Sequence, residues 1–258
     1  MCKINCKILA YIAKKAYLCT RIECIYTQNR MKFTLELIAA LLPALVLGLY
    51  IWKRDPHPEP GGQIIKALLW GVAICMPVAF AEFYIQRMVN VVVDPTTLWG
   101  STVKAFVVAA WPEETAKLLA LWLFVYKNPY FDEHFDGIVY AVSVSLGFAA
   151  IENVFYVIGS QDWLSVAIMR ALLSVPGHYA FGILMGYYFS RFFFVERSLK
   201  NGALMLLMPF LAHGAYDAIA LSGSVNPVAG SVSFVVLVYF CIKLQRQAQA
   251  RVRELAGL

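Results

Sequence analysis

Residues 138–158 read Ile138-Val139-Tyr140-Ala141-Val142-Ser143-Val144-Ser145-Leu146-Gly147-Phe148-Ala149-Ala150-Ile151-Glu152-Asn153-Val154-Phe155-Tyr156-Val157-Ile158. A single ionisable group of ordinary charge, Glu152, interrupts a run as long as the roughly 20 apolar residues a helix needs to cross a bilayer. Runs of the same kind lie on either side, at about 33–52, 64–86, 101–126, 164–190, 202–221 and 226–243. Their connections are short, and the clearest break is Lys53-Arg54-Asp55-Pro56-His57-Pro58-Glu59-Pro60, where closely spaced prolines cannot hold a helix. The expected fold is all-α, a polytopic membrane bundle of about seven transmembrane helices.

Composition agrees. The 258 residues are 60% hydrophobic and 15% charged, against roughly 25% charged in soluble domains. The formal net charge of +6 does not indicate a nucleic-acid partner, because the cations are scattered at the edges of apolar runs. Most of that charge belongs to residues 1–30, which hold six of the 22 basic residues and one acid, Glu23, leaving +1 for residues 31–258. The stretch also holds four of the six cysteines, Cys2, Cys6, Cys19 and Cys24, in a spacing without histidine that makes a poor zinc signature. The chain therefore divides into a basic extension, 1–30, and a membrane domain, 31–258. Met31 followed by Lys32 and an apolar run reads as an alternative start.

Orientation follows from the Lys/Arg bias. Eleven basic residues (Lys53, Arg54, Lys66, Lys127, Arg191, Arg197, Lys200, Lys243, Arg246, Arg251, Arg253) flank the ends after spans 1, 3, 5 and 7, whereas Arg87 alone follows spans 2, 4 and 6. The expectation is a multi-pass protein of the cell membrane with a cytoplasmic C-terminus. The cations of 1–30 would then lie on the wrong side, which favours the start at Met31.

Ionisable groups deep in a span are expensive and mark function by default. Span 3 contains Trp111-Pro112-Glu113-Glu114-Thr115-Ala116-Lys117, span 4 Phe148 through Glu152-Asn153, span 5 Arg170 and His178, and span 6 His213 through Asp217. Counted from the cytoplasmic ends, Glu113, Glu152, His178 and His213 lie about 16–21 Å deep, a spread near one helical turn. Glu113 with Lys117 and His213 with Asp217 are i,i+4 pairs sharing a helix face; Phe148, Glu152 and Tyr156 repeat the interval. Pro112 removes a backbone donor and frees a carbonyl one turn earlier, tolerated where water or protein satisfies it. A wet cavity is expected. Lys104 and Glu82, nearer the outer ends, read as snorkelling to the interface. Asp136 before Gly137 reads as the N-cap of span 4, and Gly137, Gly147, Gly177, Gly182 and Gly186 as sites of close helix contact.

Each polar residue alone has a plain structural reading as glue between helices. Together they suit hydrolysis, which needs a base for the water, an acid for the leaving nitrogen and donors for the oxyanion. The alternative is a zinc ion held by Glu114, Glu152, His178 and His213. There is no His-Glu-x-x-His, no Gly-x-Ser-x-Gly and no intramembrane Asp pair, so the compact zinc-protease, serine and aspartyl patterns are absent.

Glu113-Glu114-x-x-Lys117, Phe148-x-x-x-Glu152-Asn153, Pro176-Gly177-His178 and His213-x-x-x-Asp217 resemble the motif set of the PrsW family of intramembrane proteases, relatives of the CAAX prenyl endopeptidases in the wider CPBP (ABI) superfamily. Asp136-Gly137-Ile138-Val139-Tyr140 and Pro58-Glu59-Pro60 are similar to that family as well. In the CAAX branch histidine stands in place of Glu152, and the first motif ends in arginine one position beyond Lys117; both departures fit PrsW better. The resemblance implies an all-α membrane endopeptidase acting on membrane-anchored substrates of the anti-sigma-factor type, by a glutamate-activated or a metal-bound water. On this reading Glu113 or Glu114 activates water, His178 and His213 serve in proton transfer or oxyanion binding, Lys117 sets carboxylate charge, and Glu152 and Asp217 orient or ligate. Phe148, Asn153 and Asp136 support them. The rival functions are a proton-coupled transporter, against which no internal repeat is seen, and a non-catalytic membrane scaffold.

Overall fold

The computed structural model describes residues 30–223 and 227–256; the extension proposed for residues 1–30 lies almost entirely outside them. Seven helical rods follow one another. They are α1 (Arg30–Trp52), α2 (Gly61–Val92), α3 (98–125), α4 (Asp136–Ile158), α5 (Trp163–Val195), α6 (Leu199–Ser222) and α7 (Pro227–Ala256). No strand occurs among the described residues. Five of the rods (α1, α2, α4, α5 and α6) are long and apolar enough to cross a membrane; α3 carries Lys104, Glu113, Glu114 and Lys117, which lower its apolarity. The chain is a helical membrane bundle, as the apolar runs predict. Two ends run beyond their runs: α2 continues to Val92 and α7 to Ala256.

The core is built on α4. Every residue from 136 to 149 is buried, so this stretch has protein on all sides and lipid on none. Such a position demands small residues wherever a neighbouring backbone comes close. A Cβ on Gly71 of α2 would stand 2.0 Å from the Val144 carbonyl oxygen, and one on Gly147 of α4 would stand 2.1 Å from that of Leu68; the two helices meet backbone to backbone there. Gly186 of α5 approaches the Gly137 carbonyl in the same way, at 2.4 Å. Gly177 differs from the expectation, since a Cβ there meets only ring atoms at ordinary contact distances.

Three short stretches inside the rods are π-helical: Lys104–Ala110 in α3, Arg170–Ser174 in α5 and Arg191–Val195 at the end of α5. The first two end just ahead of a proline, Pro112 and Pro176. Proline lacks the N–H that a regular turn would use and its ring crowds the turn before it, so a widened turn is where the strain is relieved.

Asp136 is not the N-cap of α4. The helix begins at Asp136 itself, with Phe135 in the capping position, and the Asp136 Oδ2 accepts the backbone N–H of Asp132 (2.9 Å) and Glu133 (2.7 Å) instead. Its carboxylate ties down the turn that precedes the helix.

Candidate active site

The deep polar residues of α3, α4, α5 and α6 come together. At the centre is Lys117, buried with its side chain 1% exposed. Its ammonium donates to Glu113 Oε2 at 2.9 Å and to Glu114 Oε1 at 2.8 Å, and lies 3.2 Å from His178 Nδ1. An ammonium has three N–H groups, and these three acceptors take all of them. The charged head also lies 4.5 Å from the centroid of the Phe148 ring, within cation–π range.

Because Lys117 donates to Nδ1, the His178 ring presents Nε2–H to Glu152 Oε2 at 2.9 Å. Glu152 also lies 3.0 Å from Arg170 Nη2, close in space though out of line for a hydrogen bond. Arg170 Nε donates to Asn153 Oδ1 (2.6 Å), and the guanidinium sits over the Tyr156 ring at 4.1 Å. Asn153 in turn donates to the Ala40 carbonyl at 2.7 Å, fastening α1 to α4. On the other side His213 Nδ1 faces Glu114 Oε1 at 2.8 Å, and its Nε2 lies 3.4 Å from Asp217 Oδ2. The Phe181 ring stacks on His213 at 4.8 Å, and the two imidazoles meet edge to face at 5.4 Å. Beside them Gly214 leaves room for the Phe106 ring, which a Cβ would strike at 2.3 Å, so α6 and the π-helical stretch of α3 close on the histidine.

A cavity of about 810 Å³ opens onto this cluster, lined by Glu113, Glu152, His178, His213 and Asp217. Glu114 is fully enclosed and does not line it. The two adjacent carboxylates, equal in the sequence, are therefore unlike in the fold: one faces the cavity and the other is sealed behind it.

The structure thus brings Glu113, Glu114, Lys117, Glu152, His178, His213 and Asp217 into one network, with Phe148 and Asn153 beside it. Asp136 it does not bring: sixteen residues separate it from Glu152 along α4, about 24 Å of helix. Arg170 is the member that sequence reasoning noted but left out of the site. Its interval of eight from His178 is a little over two turns, and that spacing is the signal that places it on the histidine's face. Glu82 is not a snorkelling residue either, since it lines the cavity with Gln86 and Lys104, and its Oε1 is buried without a donor.

Comparison with known proteins bears on what this network does. Residues 59–243 match a family model described as PrsW family intramembrane metalloprotease. The chain belongs to the PrsW family of intramembrane proteases. It is 36% identical to "Protease PrsW" of Oceanobacillus iheyensis over 83% of this chain and 95% of that one. It is 33% identical to "Protease PrsW" of Bacillus subtilis over 83% and 94%, and 35% identical to that of Geobacillus kaustophilus over 71% and 79%. No solved structure matches. The chain is accordingly a membrane-embedded peptidase.

The PrsW description as a metalloprotease invites a test of fit. One donor atom each from Glu113, Glu114 and His178 lies within 4.8 Å of the others. Atoms of these same three groups surround Lys117 Nζ at 2.8–3.2 Å, so an ammonium stands where their donors converge. The four residues Glu114, Glu152, His178 and His213 do not converge on one point: they pair off, Glu152 with His178 and Glu114 with His213. As arranged, the PrsW cluster does not fit a metal, because its cation is a side chain.

Proposed function

We propose that Glu113 is the general base of this peptidase, activating a water in the cavity for attack on a peptide bond of a membrane-anchored protein. The observation that carries the reading is the difference in exposure between neighbours: of the two glutamates bonded to Lys117, only Glu113 lines the cavity. In the reaction, Glu113 takes a proton from water as the oxygen bonds to the carbonyl carbon, and later returns it to the leaving nitrogen as the C–N bond breaks. His213, as the imidazolium between two carboxylates, donates Nδ1–H to Glu114 and turns Nε2–H toward Asp217 and the cavity, where it supplies the donor for the developing oxyanion. Lys117 offsets the charge of both glutamates. Glu152, His178 and Arg170 are positioning residues.

A helical substrate must unwind to expose its bond, and its freed N–H groups then need acceptors in place of water. Glu82 Oε1 and Gln86 Oε1, both buried without donors, supply them on the α2 wall of the cavity.

The cavity lining runs from the polar cluster to Gln86, Lys104, Gly223 and Gly230, the end of α2, the start of α3, the end of α6 and the start of α7. With the basic connections and the C-terminus in the cytoplasm, those termini lie outside, which supports cleavage in the outer half of the membrane. Anti-sigma factors with a single span are substrates of suitable form.

The test is cleavage of a single-span substrate by the purified protein in proteoliposomes. Glu113→Gln is expected to lower kcat at least about 100-fold, within the range attributed to general-base catalysis, without a matching change in KM. Wild-type turnover by Glu113→Gln overturns the assignment.

A further inference from the structure

At the far end of α4 from the catalytic cluster a second group of acids gathers. Asp55 and Glu59 come from the α1–α2 connection, Glu133 from the α3–α4 connection, and Asp136 from the first residue of α4. Asp55, Glu59 and Asp136 are 5%, 6% and 0% exposed. One oxygen each of Asp55, Glu133 and Asp136 lies within 4.8 Å of the other two. Oxygens bound to a calcium ion stand about 2.3–2.6 Å from it, so any two of them are at most roughly 5 Å apart, and the observed separations fit such a shell.

The hydrogen bonds of these acids leave a consistent remainder. Asp55 Oδ1 accepts from His57 N at 3.0 Å, Asp136 Oδ2 takes the two N–H groups of the preceding turn, and Glu133 Oε2 lies 2.8 Å from His57 Nδ1. The Tyr140 hydroxyl donates to Glu59. What remains is Asp55 Oδ2, Glu133 Oε1 and Asp136 Oδ1, each buried and without an N–H donor, with the Asp136 carboxyl set directly against that of Glu59. The three orphan oxygens belong to the same three residues whose oxygens converge. Among the described residues no lysine or arginine pairs with any of them; His57 is their one ion-pair partner, and it addresses the other oxygen of Glu133. Buried carboxylates are ordinarily paired or bound to a metal, and among the described residues Asp55 and Asp136 have no ion-pair partner.

We infer that Asp55, Glu133 and Asp136 form a binding site for a hard divalent cation, Ca²⁺ by its size, that pins the α1–α2 and α3–α4 connections to the foot of α4. Carboxylate oxygens select this class of ion over softer ones. The site is separate from the catalytic cluster and its occupancy does not depend on which residue activates water.

The experiment uses the whole purified protein in detergent, stripped with EDTA and titrated with Tb³⁺, Ca²⁺ and Mg²⁺. Trp52, whose Nε1 donates to the Glu59 carbonyl at 2.7 Å, is close enough to sensitise Tb³⁺ luminescence. The expected result is saturable luminescence displaced by Ca²⁺, with a Ca²⁺-dependent rise in Tm, since an ion that binds only the folded state stabilises it by mass action. Both responses are expected to disappear in Asp136→Asn and in the milder, half-buried Glu133→Gln, and to persist in Glu152→Gln at the catalytic end. Absence of both responses in the wild type overturns the site without recourse to any variant. Luminescence retained in Glu133→Gln and lost in Glu152→Gln moves the ion to the catalytic cluster and equally overturns it, and a response to Mg²⁺ alone overturns the choice of the larger ion.

Discussion

Lys117 holds the buried polar network together through three hydrogen bonds to three different side chains. Removing one partner of a buried charge cluster leaves the others unpaired, at a cost of about 3–5 kcal/mol. Lys117→Met is therefore expected to destabilise the bundle by that order, read as a fall in denaturation midpoint, and Lys117→Arg is expected to recover little of it because a planar fork cannot address three acceptors set around a point. Stability equal to wild type in Lys117→Met would show the ammonium to be dispensable. At this scale the spacing in the sequence was informative where partners share a helix: Glu113 with Lys117 and His213 with Asp217 are both in contact. It was silent where the difference arises between helices. Nothing local distinguishes Glu113 from Glu114; their inequality comes from how α3 lies against α6, where His213 seals Glu114 from the cavity.

The elements show a recurring device. Pro112 immediately precedes Glu113 and Pro176 lies two residues before His178, so both segments follow a widened turn, while Pro209, four before His213, sits inside an α-helix. The apolar runs located the helices, with the C-terminal ends of α2 and α7 set well short, but could not show the π-helical stretches, because a widened turn leaves no mark on hydropathy. The small residues were more legible. Gly71 and Gly147 let α2 and α4 touch through their backbones, so Gly147→Leu is expected to push the pair apart and destabilise by more than the roughly 1–3 kcal/mol typical of overpacking, since the obstacle is backbone. Gly177→Ala, where only rings lie nearby, is expected to change the denaturation midpoint little. If the two variants unfold alike, the close approach of α2 and α4 is not what the glycines provide.

For the whole molecule, topology rests on the distribution of cations. Cysteines introduced at Lys127 and Arg197 are expected to react with a membrane-impermeant maleimide only after the cytoplasmic side is opened, and one at Asn90 to react in intact cells; the reverse pattern would invert the bundle and move the cavity to the inner half. The family and the bundle were legible because they rest on runs and motifs. The acid cluster at the foot of α4 was not, since Asp55 and Asp136 lie 81 positions apart in the chain and only the fold makes them neighbours; nothing in the sequence shows that Asp136 stands a helix length away from Glu152 and beside Asp55.

The enclosure of α4 has a consequence for the membrane in which the protein works. Leu35, Ile38 and Leu42 of α1 and Leu69, Met76 and Phe80 of α2 face outward, so it is these outer rods that meet acyl chains of varying length and tilt to suit them. Residues 136–149 of α4 are insulated from that adjustment, whereas Phe155 and Tyr156, beyond Glu152, face outward; a bilayer a few ångströms thicker or thinner changes the sleeve while leaving the bearing inside it where it was.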